Sequence, residues 1–200
     1  MNKIITLSLI VVTLLNVNPG CGPVAKEQDP KAVQTSAEET DAESLYQTTG
    51  KWDDQYGDTI TLTKLSGKIP ILAMVFTRCT FACPRIVADL KAIEAKLPAD
   101  RKDNVVFVLI SFDSDRDHAE YLKAFVEKMK LGDNWLVLHG ADQDVRELSM
   151  LLNVKYKKTL NGDFTHSSGI SLLDTKGRLI KQREGLGLDP EDFIKAIKLL

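Results

Sequence analysis

Two unbroken apolar runs organise the chain: Ile71-Leu72-Ala73-Met74-Val75-Phe76 and Val105-Val106-Phe107-Val108-Leu109-Ile110. Runs of this length without alternation suit strands covered on both faces, as in the centre of a sheet built from βα units. Between them, Ile86, Val87, Leu90, Ile93 and Leu97 recur at helical spacing, and Pro84 falls in the first turn, where a missing N–H is harmless. Upstream, Thr59-Ile60-Thr61-Leu62-Thr63 alternates as a half-buried strand does, and Leu65-Ser66-Gly67-Lys68 turns the chain. Downstream, Asp117 is placed to cap a helix lined by Leu122, Phe125, Val126 and Met129. Leu136-Val137-Leu138 reads as a short strand, and Asp142 opens a helix with Val145, Leu148, Leu151 and Leu152 inward. Gly169 to Leu173 and Arg178 to Gln182 form two strands about a turn at Asp174-Thr175-Lys176-Gly177. Asp189-Pro190 starts a last helix, with Phe193, Ile194 and Ile197 on its inner face. Strands alternating with helices predict an α/β fold, a central mixed sheet flanked by helices.

The first 44 residues follow other rules. Lys3 is a short basic start, Ile4 to Leu15 is almost wholly apolar, and Asn16 to Cys21 is a breaker region ending in a small residue. That is the anatomy of a secretory signal peptide, with an apolar run too short to span a bilayer comfortably. Gly20-Cys21 has the form of a bacterial lipoprotein processing site, which would make Cys21 the lipidated first residue of the mature chain. Asn18 and Pro19 depart from the usual residues there, so the competing reading is ordinary cleavage or an uncleaved anchor, with Cys21 a free thiol. Each version places the domain outside the cytoplasm, and the first places it on the periplasmic side of a bacterial membrane, lipid-anchored. Residues 22–44 carry Lys26 and Lys31 against Glu27, Asp29, Glu38, Glu39, Asp41 and Glu43, with no aromatic residue. Such a stretch buries too little apolar surface to offset its ordering entropy and reads as an acidic tether, leaving 45–200 as the folded domain. The formal net charge of −2 gives no basic patch for nucleic acid or an anionic membrane surface.

Three cysteines, one near the start and two together, suggest one cysteine with a separate fate and one reactive pair. Cys79 and Cys83 lie in Phe76-Thr77-Arg78-Cys79-Thr80-Phe81-Ala82-Cys83-Pro84, where a buried strand meets a helix start. Helix N-terminal amides lower a cysteine pKa, and Arg78 could add to this. Residues four apart at a helix start can face one site. Three intervening residues, against two in a thioredoxin-type pair, permit a disulfide and also leave room to chelate a metal. A purely stabilising disulfide is the alternative, but a bridge closing so small a loop restricts the unfolded chain very little. A pair at the mouth of a βα unit is also where function gathers in such sheets.

Of the histidines, His118 sits at an exposed helix start and His139 ends a strand; surface and packing roles suit them. His166 stands just before a strand. The closing order of β-hairpin then helix is that of a thioredoxin-like domain, in which this loop faces the dithiol and normally carries a cis-proline. Here no proline occurs between Pro98 and Pro190, and His166 stands about where it would be. Two thiols and an imidazole make a soft site suited to copper, whereas zinc would want a fourth ligand.

From about Tyr56 onward the chain closely resembles the Sco/SenC family of copper-binding, thioredoxin-like proteins. The resemblance is carried by Gly67-Lys68, by Phe76-Thr77 followed by Cys79-x-x-x-Cys83-Pro84, and by Ser111-Phe112-Asp113-Ser114-Asp115-Arg116-Asp117. Trp135, Gly140 and the isolated His166 extend it. It implies copper, Cu(I) or Cu(II), bound by Cys79, Cys83 and His166. It also implies a role in maturing the binuclear copper centre of cytochrome c oxidase, by delivering copper, by reducing the oxidase's cysteines, or both. The implied partners are the copper-bearing oxidase subunit and an upstream periplasmic copper donor. Thr165 stands where the family commonly has an acid, which leaves open what supports the His166 ring. Asp113-Ser114 replaces the more usual Asp-Pro. The competing functions are a metal-independent thiol-disulfide oxidoreductase using Cys79 and Cys83 as its redox pair, and a redox or copper sensor.

Overall fold

A computed structural model describes residues 43–200. The expected leader, Cys21 and nearly all of the expected tether lie outside the described residues.

Seven strands form one mixed sheet: β1 (Trp52–Asp54), β2 (Thr59–Ile60), β3 (Ile69–Val75), β4 (Val105–Ser111), β5 (Trp135–Gly140), β8 (Gly169–Leu173) and β9 (Leu179–Glu184). A separate two-stranded sheet pairs β6 (Tyr156–Lys158) with β7 (Phe164–His166). The large sheet runs β2-β1-β5-β4-β3-β8-β9. β3, β4 and β5 are mutually parallel, and β8 lies antiparallel to β3. Helices α1 (Ala82–Ala95), α2 (Ala119–Met129), α3 (Asp142–Leu151) and α4 (Glu191–Ile197) complete the domain. This is the thioredoxin-like arrangement, a central mixed sheet flanked by helices.

The apolar runs become the sheet's centre for the expected reason. All seven residues of β3 are buried, and β4 is buried except at Val106. Helix α1 buries Cys83, Ile86, Val87, Leu90 and Ile93, the stripe its spacing predicts. At full burial each such aliphatic side chain contributes about 1.5–3 kcal/mol by removing apolar surface from water.

Several elements differ from expectation. The Thr59–Thr63 strand stops at Ile60, and Leu62–Leu65 forms a 3₁₀ turn that buries Leu62 and Leu65 one turn apart. The β5 strand extends to both sides of Leu136–Leu138, because it pairs with β4 along one edge and β1 along the other. Leu151 ends α3 half-exposed at 51%, while Leu152 is buried. At the start of the described residues, Ser44 Oγ donates to Lys176 O at 2.5 Å. Asp117 is not the cap of α2, which begins after His118 without a side-chain cap. Strand β1 and the β6–β7 pair, both short and polar, carried no periodic signal.

Gly140 has a steric reason. It lies opposite Trp52 in the β1–β5 ladder, and a Cβ there would meet Trp52 Cε3 at 2.8 Å and Lys51 O at 3.1 Å. Trp52 is 1% exposed and cannot retreat. Gly140→Ala is therefore expected to destabilise the domain by about 1–3 kcal/mol, read by urea denaturation. An unchanged midpoint would refute the packing argument.

Candidate metal centre

The loop from Phe76 to Phe81 carries the chain from β3 into α1. Cys79 N–H donates to Phe76 O at 3.1 Å, curling the loop so that Cys79 Sγ faces the helix start. Helix α1 has no side-chain cap of the ordinary oxygen kind, and the Cys83 amide instead donates to Cys79 Sγ at 3.2 Å. The sulfur thus accepts from a first-turn N–H that would otherwise lack a partner. Both thiols are free, with Cys79 7% and Cys83 0% exposed.

The pair holds its protons asymmetrically. A hydrogen bond from the Cys83 thiol, aided by the amides of Cys83 and Phe81 and by His166, outweighs burial and lowers the Cys79 pKa to about 5. The same contact and deeper burial push Cys83 far up. Cys79 is therefore the thiolate at neutral pH and Cys83 the retained S–H. Arg78, which could have assisted, is engaged elsewhere: its guanidinium lies 3.4 Å from Asp117, 3.8 Å from Asp113 and 4.7 Å from the centre of the Tyr121 ring.

His166 stands just before β8, as expected, and itself ends the short strand β7. Its Nδ1 lies 2.9 Å from Ser167 O, and since a carbonyl can only accept, Nδ1 carries the proton. That leaves the Nε2 lone pair free, 4.0 Å from Cys83 Sγ. The backbone carbonyl thus does what an acidic neighbour would have done, while Thr165 is exposed and turned to Lys157 O. Phe112 and Phe76 pack against the imidazole at ring separations of 4.9 and 6.1 Å.

Cys79, Cys83 and His166 each offer one donor atom, all within 4.8 Å of one another. No other group of three or more His, Cys, Asp or Glu residues does so among the described residues. Cys79 and His166 border a cavity of about 340 Å³ between Phe81 and β7, so the site is reachable from solvent on their side, with Cys83 buried behind them. The other histidines stand apart. His139, half-buried, sits 3.7 Å from its cross-strand neighbour Asp53, and burial lowers its pKa. His118 is exposed, its ring 5.5 Å from that of His139.

Sequence reasoning missed the residue that holds the cysteine loop. Asp117, wholly buried, accepts hydrogen bonds from Thr77 N at 2.8 Å, Thr77 Oγ1 at 2.6 Å and Ser111 Oγ at 2.6 Å. Only its place in the motif quoted above marked it; an Asp before a helix otherwise reads as a cap.

In the reduced protein, iodoacetamide is expected to modify Cys79 before Cys83. The rate should rise through about pH 5 and be flat above it, because the thiolate fraction saturates there. Peptide mapping that finds Cys83 modified first, or a rate still climbing at pH 8, would contradict the assignment.

Comparison with known proteins agrees with this architecture. A SCO1/SenC family model matches residues 37–200. The SCO1 protein homolog of Bacillus subtilis is 30% identical over 152 residues, covering 74% of this chain and 78% of that protein. A Stutzerimonas stutzeri protein whose name proposes copper binding is 27% identical over 130 residues, covering 63% of each chain. Among solved structures, a SCO1/SenC family lipoprotein from Bacillus anthracis superposes with a TM-score of 0.68 at 30% identity, covering 75% of this chain and 91% of that one. The chain belongs to the SCO1/SenC family.

Proposed function

We propose that this protein is an exported copper-binding chaperone with thiol-disulfide capability that assists assembly of the binuclear copper centre of cytochrome c oxidase. One copper ion would be held by Cys79 Sγ, Cys83 Sγ and His166 Nε2. The observation that carries this reading is the convergence of exactly those three donors, with Nε2 left free because Ser167 O occupies Nδ1. One thiolate is already present, and two soft sulfurs with one imidazole suit copper, above all Cu(I), better than a cation seeking four ligands or hard oxygens. Membership of the family and the copper-named relative support the same reading.

The remaining parts of the proposal follow from it. Residues 1–21 would direct export, Cys21 would carry a lipid anchor on the periplasmic side, and residues 22–44 would let the domain stand off the membrane. Among the described residues no helix is long and apolar enough to cross a membrane. The partners would be an upstream periplasmic copper donor and the copper-bearing oxidase subunit.

A second reading is favoured by one observation, the Cys83 amide donating to Cys79 Sγ at 3.2 Å, which favours the thiolate that a thiol-disulfide oxidoreductase needs in its attacking sulfur. Two thiols would become one disulfide as a partner's disulfide becomes two thiols. The two activities share the dithiol and differ in their need for His166.

Reduced wild-type protein is expected to take up one equivalent of copper. His166→Ala should weaken binding on the order of tenfold or more, and His118→Ala should leave it unchanged. Chelator competition measures both, and equal losses would sink the His166 assignment. Robust insulin reduction by metal-free protein, retained in His166→Ala, would favour the oxidoreductase.

A further inference from the structure

The dithiol and His166 belong to different sheets. The cysteines are fixed to the large sheet through β3 and α1, whereas His166 rides on the β6–β7 hairpin, which contributes no strand to it. Their separation therefore depends on what holds the hairpin. Its base is closed locally, Ser167 N–H donating to Lys155 O at 2.8 Å. Beside it lies a cavity of about 440 Å³, lined by Asp113, Asp115, Asp142, Tyr156, Lys158 and Phe164. The hairpin is thus not fully backed by packed side chains on that side.

The segment after β4 spans this gap. Phe112 packs against Phe164 at 5.0 Å and Tyr156 at 5.2 Å, giving the hairpin an apolar seat. An apolar seat sets depth but not direction. Direction comes from Arg116. Its Nη2 donates to Gly162 O in the hairpin turn at 2.5 Å, and its Nε donates to Asp113 Oδ2 at 2.6 Å. The guanidinium also lies 6.0 Å from the centre of the Phe164 ring. Asp113 is buried at 1% exposure, so Arg116 is anchored at its inner end on a rigid group. The neighbouring Lys158–Asp115 pair is exposed on both sides and holds little. Asp117, the next residue, grips the cysteine loop through Thr77. Adjacent residues thereby grip the two halves of the site.

We propose that Arg116 is a positioning residue for His166: it clamps the β6–β7 hairpin to the Asp113–Asp117 segment and so sets the distance of the imidazole from the dithiol. The inference rests on the metal-binding reading above for its functional meaning, but its mechanical content does not.

The test uses Arg116→Lys, which keeps a positive charge beside buried Asp113 and so avoids an unpaired carboxylate, yet lacks the fork that reaches two partners at once. Cu(I) affinity is measured by chelator competition in wild type, Arg116→Lys, His166→Ala and the double variant. Arg116→Lys should cost about tenfold in the wild-type background. With His166 absent it should cost less than roughly twofold, the signature of acting through that residue. Equal costs in both backgrounds, or none in either while His166→Ala does weaken binding, would overturn the proposal. In parallel, hydrogen exchange on metal-free protein follows the Thr159 and Ser167 amides, which are bonded within the hairpin. Their protection should fall about tenfold in Arg116→Lys while that of β3 and β4 stays constant. Unchanged hairpin protection overturns the clamp. If His166→Ala does not weaken copper binding, the metal-binding reading fails, and the exchange result alone decides whether Arg116 holds the hairpin.

Discussion

The buried carboxylate of Asp117 ties the cysteine loop to the end of β4. Its oxygens accept from the Thr77 amide, the Thr77 hydroxyl and the Ser111 hydroxyl, with Arg78 at the edge. Burying a carboxylate is costly unless its lone pairs are met, and here they are met from the loop itself, through Thr77, and from the end of β4, through Ser111. Phe76 is anchored in the core, but Thr77 to Thr80 offers no large apolar side chain, so the shape of that part of the turn depends on this contact. The position of Cys79 against the start of α1 follows from that shape.

The loop's shape also decides the chemistry. With Cys79 Sγ set against the Cys83 amide and thiol, the negative charge of the pair settles on Cys79, and Cys83 keeps its proton in a fully buried place. A thiolate made this way needs no neighbouring cation, which explains why Arg78 can serve Asp117 and Asp113 instead. His166 approaches from the other side with its protonated nitrogen already engaged by Ser167 O. The donors therefore meet with one sulfur charged and one imidazole lone pair free, a state ready for a soft metal or for thiol exchange.

The price of this arrangement is polar material in the interior. Asp113 lies beside Asp117, and burial pushes its carboxyl above the usual range despite the pull of Arg116. One of its oxygens, together with Ser114 Oγ and Tyr156 OH, has no hydrogen-bonding partner among the described residues. All three residues line the cavity beside the hairpin. The region is thus less tightly satisfied than the sheet centre, where Phe107, Val108 and Leu109 are wholly buried among apolar neighbours.

The sequence by itself determined β3, β4, α1 and α4 through their apolar patterns, and the β8–β9 hairpin through its turn at Asp174-Thr175-Lys176-Gly177. Burial on two faces or one stripe leaves a pattern that no tertiary detail can erase. It also determined that Cys79 and Cys83 stand at a strand-to-helix junction, because adjacency along the chain is adjacency in space there. Tertiary structure alone decided the rest. The β6–β7 pair is too short and polar to announce itself, so His166 was legible as a residue but not as the end of a strand in its own small sheet. Asp117 had the local signature of a helix cap, and a long-range partner, Thr77, took its carboxylate instead. The support of His166 by Ser167 O involves a backbone group, which every residue type provides and no sequence can mark. Arg116 and Asp117 could be read as part of a motif, but that they face opposite halves of the site depends on how the segment after β4 bends between two sheets.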